Sequence, residues 1–304
     1  MTNLVYVFLD NNFLQESPQN PYTYTELPEY YKATYFNNKN YAANSFFITQ
    51  KKYCFDNTCI DVDEIKYSPE YKQTLNILQT HWGRYANDPF WFNTTIRVIL
   101  LLLAVIKKDL KNVLHLEADN ILFEPITKIS HIFNDGEYGY SNEAPHACAP
   151  CCMFIKDKEA AQKLLEQHLV LFERGETQLR PHVGHFANYI TDMAFLDIIY
   201  RLKRGYKMLP CTPQGVCSEN FETIETVIDP NPYGMYFFGT NQGHSPGYIE
   251  TRHFVGHQIA NSTIVPKLIN NKPFIVYRDK LIPIFNLHMH NKKAILPFLE
   301  HVKS

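Results

Sequence analysis

The segment from Pro89 to Leu122, PFWFNTTIRVILLLLAVIKKDLKNVLHLEADNIL, limits what this chain can fold into more than any other part of it. Its first part is apolar almost all round a helix, so it must pack against a sheet on one side and other elements on the opposite side. Lys107, Lys108 and Lys111 suit the C-terminal end of that helix, where positive charge meets the helix dipole. Asn112 to Leu116 then reads as a short apolar strand that delivers Glu117-Ala118-Asp119-Asn120 at its carboxyl end. Open α/β sheets bind ligands at that end of their strands. The most apolar stretch, Ile96 to Ile106, carries Arg97 and has about half of the ~20 residues needed to span a bilayer. It is therefore expected to be a buried helix, and no transmembrane segment is predicted.

The rest of the chain fits an α/β pattern. Leu4 to Leu9 is a β-branched and aromatic run closed by Asp10-Asn11-Asn12, as a buried first strand would be. Leu27 to Asn44 has the spacing of a crossover helix, and Ser45 to Thr49 reads as a second strand, which makes one βαβ unit. Gly139 to Asn142 with Cys151 to Ile155 looks like a strand pair. Lys158 to Glu173 has amphipathic helical spacing, and Asp192 to Leu202 is a further helix with Asp192 near its N-terminus. From Gly205 to Gly247 the chain is rich in Pro, Gly and Asn, as loops shaping a site would be.

With 29 Lys and Arg against 31 Asp and Glu, neither sign is in excess, and no nucleic-acid partner is expected. Met1 to Asp10 has no basic or long apolar region and no small-residue cleavage site, so it reads as a mature strand. Seven cysteines, an odd number without a regular framework, suggest reduced thiols in a cytoplasmic setting and no disulfide scaffold. Cys148, Cys151 and Cys152 are read as small buried strand residues, because a structural zinc site needs a second ligand pair that the chain lacks. His182 and His185, in PHVGH, are not spaced i, i+4 and lack the glutamate of a zinc hydrolase, which leaves them for an acceptor cleft or a loop surface. No G-x-S-x-G, Walker loop or G-x-G-x-x-G is present, which removes the commonest hydrolase, kinase and dinucleotide readings.

The chemistry concentrates in two places. Glu117 and Asp119 can be aimed by a turn at one hard cation, Mn²⁺ or Mg²⁺. Near the C-terminus, Asn286-Leu287-His288-Met289-His290-Asn291-Lys292 supplies two imidazoles able to ligate Mn²⁺ and a lysine able to neutralise a phosphate.

These residues also carry a resemblance. HLEADNILF at 115–123 resembles the HLE-x-D metal motif of a group of bacterial, viral and eukaryotic glycosyltransferase-like proteins, and FNLHMHNKK at 285–293 resembles their closing N-L-H-x-H-S-K motif. DPNPYGMYFFGTNQ at 229–242 and GYIE at 247–250 are similar to segments that lie between those motifs, and FWFNTTIRVILLLL resembles an upstream helix. Ile96, Pro230-Asn231, Met235 and Asn291 depart from the pattern.

The resemblance implies an α/β, GT-A type transferase with a mixed central sheet flanked by helices. Within it, a Rossmann-like nucleotide-sugar-binding half would cover about residues 1–125, and an acceptor half with a closing C-terminal segment about 126–304. It implies Asp119 as the main metal ligand, Glu117 as a second one acting directly or through water, and His288 or His290 as completing the shell. Val7, Phe8, Arg97, Glu117 and Lys292 are set against a nucleotide-sugar donor, which is UDP-linked in most such enzymes, and Asp192 and Asp119 fall in the catalytic positions. The implied reaction is metal-dependent transfer of a sugar to a glycan, lipid-linked or protein hydroxyl; the competing expectation is a nucleotide- or glycan-binding protein without turnover.

Overall fold

A computed structural model describes residues 1–10, 26–82, 89–183 and 190–303; Asn11, Asn12 and His185 lie outside the described residues. The chain starts with β1 (Asn3–Val7), crosses through α1 (Glu29–Asn38) and returns as β2 (Asn44–Thr49), parallel to β1 with Leu4 beside Ser45 and Tyr6 beside Phe47. This is the βαβ unit expected. β3 (Cys59–Asp61) adds in parallel to β2. Helix α2 (Pro69–His81) follows, its first turn capped by the Ser68 hydroxyl, which accepts from the Tyr71 N–H at 3.2 Å.

The long apolar segment forms α3 (Pro89–Lys108). It stops where Asp109 takes a left-handed φ of 48° and the Leu110 N–H reaches back to the Val105 carbonyl at 3.1 Å. The chain can then enter β4 (Val113–Leu116), parallel to β1, with β5 (Asn120–Leu122) just beyond it. β6 (Tyr138–Ala144) and β7 (Ala147–Ile155) form an antiparallel pair, and β7 also lies antiparallel to β4. Helices α4 (Lys158–Leu179) and α5 (Asp192–Leu202) lead to β8 (Tyr206–Met208), beside β6. The central sheet thus has seven strands in the order β3-β2-β1-β4-β7-β6-β8, parallel at one end and mixed at the other.

Both faces of this sheet are covered, as the absence of polar alternation in β1 requires. Val5 and Val7 point to the side of α3, α4 and α5, where Val98 to Val105 are buried. Leu4, Tyr6 and Phe8 point the other way, into a second cluster with Tyr35, Phe47, Leu114, Leu116 and Phe154. Among the described residues, no helix is long and apolar enough to cross a membrane.

The remaining elements sit on the second side. α6 (Pro232–Phe238) and α7 (Phe254–Ala260) precede a three-stranded antiparallel sheet of β9 (Val265–Ile269), β10 (Lys272–Tyr277) and β11 (Lys280–Pro283). Its two hairpins turn on Asn270-Asn271 and Arg278-Asp279, all at φ between 47° and 60°, the left-handed pairs that tight hairpins demand. β12 (Asn286–His288) then pairs antiparallel with β5, and α8 (Lys292–Lys303) ends the described chain.

The expectation that no disulfide forms is corrected. Cys54 and Cys59 are bonded, with Cα atoms 5.6 Å apart, across the short loop that enters β3. An odd cysteine count excludes complete pairing and nothing more. The other five, Cys148, Cys151, Cys152, Cys211 and Cys217, are free and buried, and the first three are the small strand residues expected, on β7.

Candidate functional site

At the end of β4 the Glu117 N–H still donates to the Cys151 carbonyl of β7 (3.0 Å), and the Asn120 N–H then closes a turn onto the Glu117 carbonyl (3.0 Å). That turn projects Glu117 and Asp119 from the carboxyl edge of the sheet. β12 runs back along β5 with His288 opposite Asn120, and the Met289 N–H donates to the Asp119 carbonyl at 2.8 Å. His288 is thereby delivered to the two carboxylates: its Nε2 lies 3.2 Å from Asp119 Oδ2 and 3.4 Å from Glu117 Oε2. One ligand atom from each of Glu117, Asp119 and His288 lies within 4.8 Å of the others, so the group can hold a metal ion. Lys292, at the start of α8, places its ammonium against Asp119 Oδ2. From α3, Arg97 donates to Glu117 Oε1 at 2.5 Å and lies 3.6 Å from Asp192 Oδ2.

A buried amide network holds these segments together. Asn286 Nδ2 donates to Asn120 Oδ1 (2.5 Å) and to the Asp229 carbonyl (2.9 Å), while its Oδ1 accepts from the Asp229 N–H (3.1 Å). Asn120 donates in turn to the Cys151 carbonyl (3.1 Å), and Asn38 ties in α1 by donating to the Asn120 carbonyl (2.6 Å) and accepting from the Leu122 N–H (2.8 Å). The Asp229 carboxyl collects four backbone N–H groups, from Asn231, Tyr233, Gly234 and His288, at 2.8–3.0 Å. It therefore anchors the start of α6 and the backbone of His288 at once. Gly234 is obligatory in this packing, because a Cβ there would sit 2.0 Å from the His288 carbonyl oxygen. The ring of His288 is also oriented: Nδ1 bonds the Pro230 carbonyl at 2.8 Å, which fixes the tautomer and turns Nε2 toward the carboxylates.

Charge follows from this burial. Desolvation opposes ionisation of Glu117, yet the Arg97 guanidinium, then His288 and Lys292, hold it well below the usual carboxylate range. For Asp192 the balance reverses, and burial, only partly offset by Arg97, pushes its carboxyl up to about 6. Burial also brings Lys292 down to about 8 and His290 to about 3, with His288 adding to the latter.

Of the residues singled out in the sequence, Glu117, Asp119, His288, Lys292, Arg97 and Asp192 form one connected group. The His290 ring lies 4.8 Å from that of His288 but does not join the three-ligand group. Val7 is packed in the core on the α3 side, and Phe8 stacks edgewise between Tyr31 (4.7 Å) and Tyr53 (5.0 Å). His182 is exposed, its carbonyl accepting from Arg201 at the end of α5. Asn120, Asn286 and Asp229 fall inside the segments that carry the resemblance, yet nothing in the sequence singles them out within those segments as the network that holds the group, and Asn38 has no such signal at all.

No protein-family model matches the chain, and no curated protein matches it in sequence. Solved structures resemble it in chain path. PaToxG glycosyltransferase is 13% identical, with 67% of this chain and 69% of that one covered at a TM-score of 0.40. The apo form of mouse xyloside xylosyltransferase 1 is 13% identical, with 69% and 85% covered at 0.42. The galactosyltransferase LgtC, in complex with donor and acceptor sugar analogues, is 9% identical, with 100% and 97% covered at 0.40. At such values the likeness says nothing of the chemistry here, which rests on the side chains.

Proposed function

We propose that the protein is a metal-dependent glycosyltransferase that moves a sugar from a nucleotide-sugar donor of the UDP type to an acceptor hydroxyl of a glycan, lipid or protein. The observation that carries this reading is the convergence of Glu117, Asp119, His288 and Lys292 from segments about 170 positions apart at the carboxyl edge of the sheet. Two carboxylates with one imidazole make a donor set suited to Mn²⁺ or Mg²⁺, and the Lys292 ammonium against Asp119 marks a place that already attracts positive charge. When bound, the cation would stabilise the negative charge that grows on a departing diphosphate, a contribution of several kcal/mol.

The chain's own residues divide the remaining work. Lys292 serves the diphosphate as a point charge. Arg97 holds Glu117 and Asp192 at fixed separation. Asp192, with a carboxyl near pH 6, is largely ionised at neutral pH and acts on a sugar or acceptor hydroxyl. On this reading residues 1–125 bind the donor, and residues 126–304 take the acceptor and close the site.

A thermal-shift screen of nucleotide sugars with and without Mn²⁺ tests the proposal, since a ligand at a hundredfold excess over its Kd adds about 2.7 kcal/mol of apparent stability. Mn²⁺-dependent stabilisation by a UDP-sugar, followed by release of UDP in a turnover assay, is expected. Tight binding without turnover would make the protein a nucleotide-sugar binder, and no shift with any donor would overturn the reading.

A further inference from the structure

A second polar cluster adjoins the metal group and plays no part in holding it. Glu143, near the end of β6, is 3% exposed. Its Oε1 accepts from Asn231 Nδ2 at 3.3 Å, and His253 Nδ1 lies 3.3 Å from the same oxygen. The partners come from two other segments, Asn231 preceding α6 and His253 preceding α7. Their bonding capacity is not used up: Asn231 Oδ1 is buried without a hydrogen-bond partner, and His253 Nδ1, although 3.3 Å from Glu143 Oε1, makes no well-aligned hydrogen bond to it. Leaving buried polar groups so is costly, and a native fold that keeps them calls for an explanation.

Position supplies one. Asn231 follows Pro230, whose carbonyl orients His288, so cluster and metal group share a support two residues long. His253 also lines an open groove of about 420 Å³, in which Pro145, Val216 and Phe254 are mixed with Arg252, His257 and Gln258. A groove that offers both apolar surface and polar groups suits a ligand with an apolar face and a rim of hydroxyls.

We propose that Glu143, Asn231 and His253 form a hydroxyl-binding subsite for a pyranose ring entering from this groove. The inference rests on the glycosyl-transfer reading for its place beside the metal group. A carboxyl can accept from two adjacent ring hydroxyls, while the free Asn231 oxygen accepts a third and His253 takes up whichever role its tautomer allows. The ring can be the sugar carried by the donor or that of the acceptor.

Two variants and two sets of probes decide the matter. Glu143→Gln keeps volume and shape, and His253→Ala removes the groove-lining partner; melting curves establish that each is folded. Calorimetry with UDP, UDP-glucose and UDP-galactose in Mn²⁺ measures how much the sugar adds to donor affinity. Saturation-transfer NMR with methyl glucoside and methyl galactoside measures free sugar binding. In the variants we expect UDP affinity to stay the same and either the sugar increment to fall about tenfold, which is the loss of one hydrogen-bonding group, or the glycoside signal to vanish. The first outcome assigns the subsite to the transferred sugar, the second to the acceptor. Increments and signals equal to wild type in a folded variant overturn the proposal, as does a wild-type protein that shows neither. Failure of the glycosyl-transfer reading is recognised separately, as no Mn²⁺-dependent binding of UDP by the wild type, and the glycoside arm still decides the subsite.

Discussion

On the β4 side of the metal group, Glu117 meets Arg97, which lies 3.6 Å from Asp192 in turn, so formal charges answer one another. On the β12 side, His288 is held by the backbone-collecting carboxyl of Asp229 and by amides of Asn286 and Asn120 that carry no net charge. Charges at the edge of a sheet can exchange one partner for another when a ligand arrives. Buried amide bonds cannot, because the groups they leave behind have no water to turn to. Under the proposed function the first side carries the chemistry and the second the alignment, and substitutions should tell them apart by whether activity or stability is lost.

The largest effect is expected on the chemical side. Asp119→Asn removes a charge without removing volume and should lower turnover by more than about 10³-fold while the melting temperature stays near that of wild type; retained turnover in an assay of UDP release would show that Asp119 is not a metal ligand. The alignment side should respond in the opposite way. Asn286→Ala strips partners from Asn120 and from both backbone groups of Asp229, and should cost about 3–4 kcal/mol in a denaturant titration, with residual activity falling only as the folded fraction falls. A loss under about 1 kcal/mol would remove the distinction between the two sides.

Asp192 sharpens the comparison through pH. Its carboxyl is raised from 3.8 to about 6, so between those values the folded chain holds a proton that the unfolded chain has lost. The associated stability is fully present below pH about 4 and disappears as pH rises through about 6, a change of up to about 3 kcal/mol. Asp192→Asn should lack that slope, so the difference in stability between the two proteins should change across denaturation curves taken from pH 4 to 7. A constant difference would mean that Arg97 neutralises Asp192 fully. The smallest effect belongs to Lys292→Ala, which should weaken UDP binding about tenfold by calorimetry with little loss of stability, since it removes one point charge carried on a side chain that is only partly buried.

Much of the chemical side is legible in the sequence. An apolar helix that ends in a strand with acids at its tip can be read from local order alone, and so Glu117 and Asp119 stand out, as does the helix Asp192–Leu202 with its bounds, whereas Arg97 is singled out by the resemblance. His288 and Lys292 can be noted locally as an imidazole and a cation, but their place beside the acids comes only from the resemblance, because no local pattern says that a strand near residue 288 will lie against one near residue 120. The Asn286–Asn120 bond spans 166 positions, and asparagine is as common in turns as in buried networks, so neither residue announces itself. The Cys54–Cys59 bond escapes notice for a simpler reason: parity speaks of the whole set of cysteines, whereas only one neighbouring pair matters.

The pairing of β5 with β12 also sets an order of events during synthesis. A ribosome releases Glu117 and Asp119 long before His288, so for much of its elongation the nascent protein carries two acids with no imidazole beside them and a strand edge with nothing laid along it. Contacts so distant in sequence are slow to form, and it is a late-made element that completes the group of Glu117, Asp119 and His288. A partly made chain therefore holds only the acidic part of that group until β12 docks along β5.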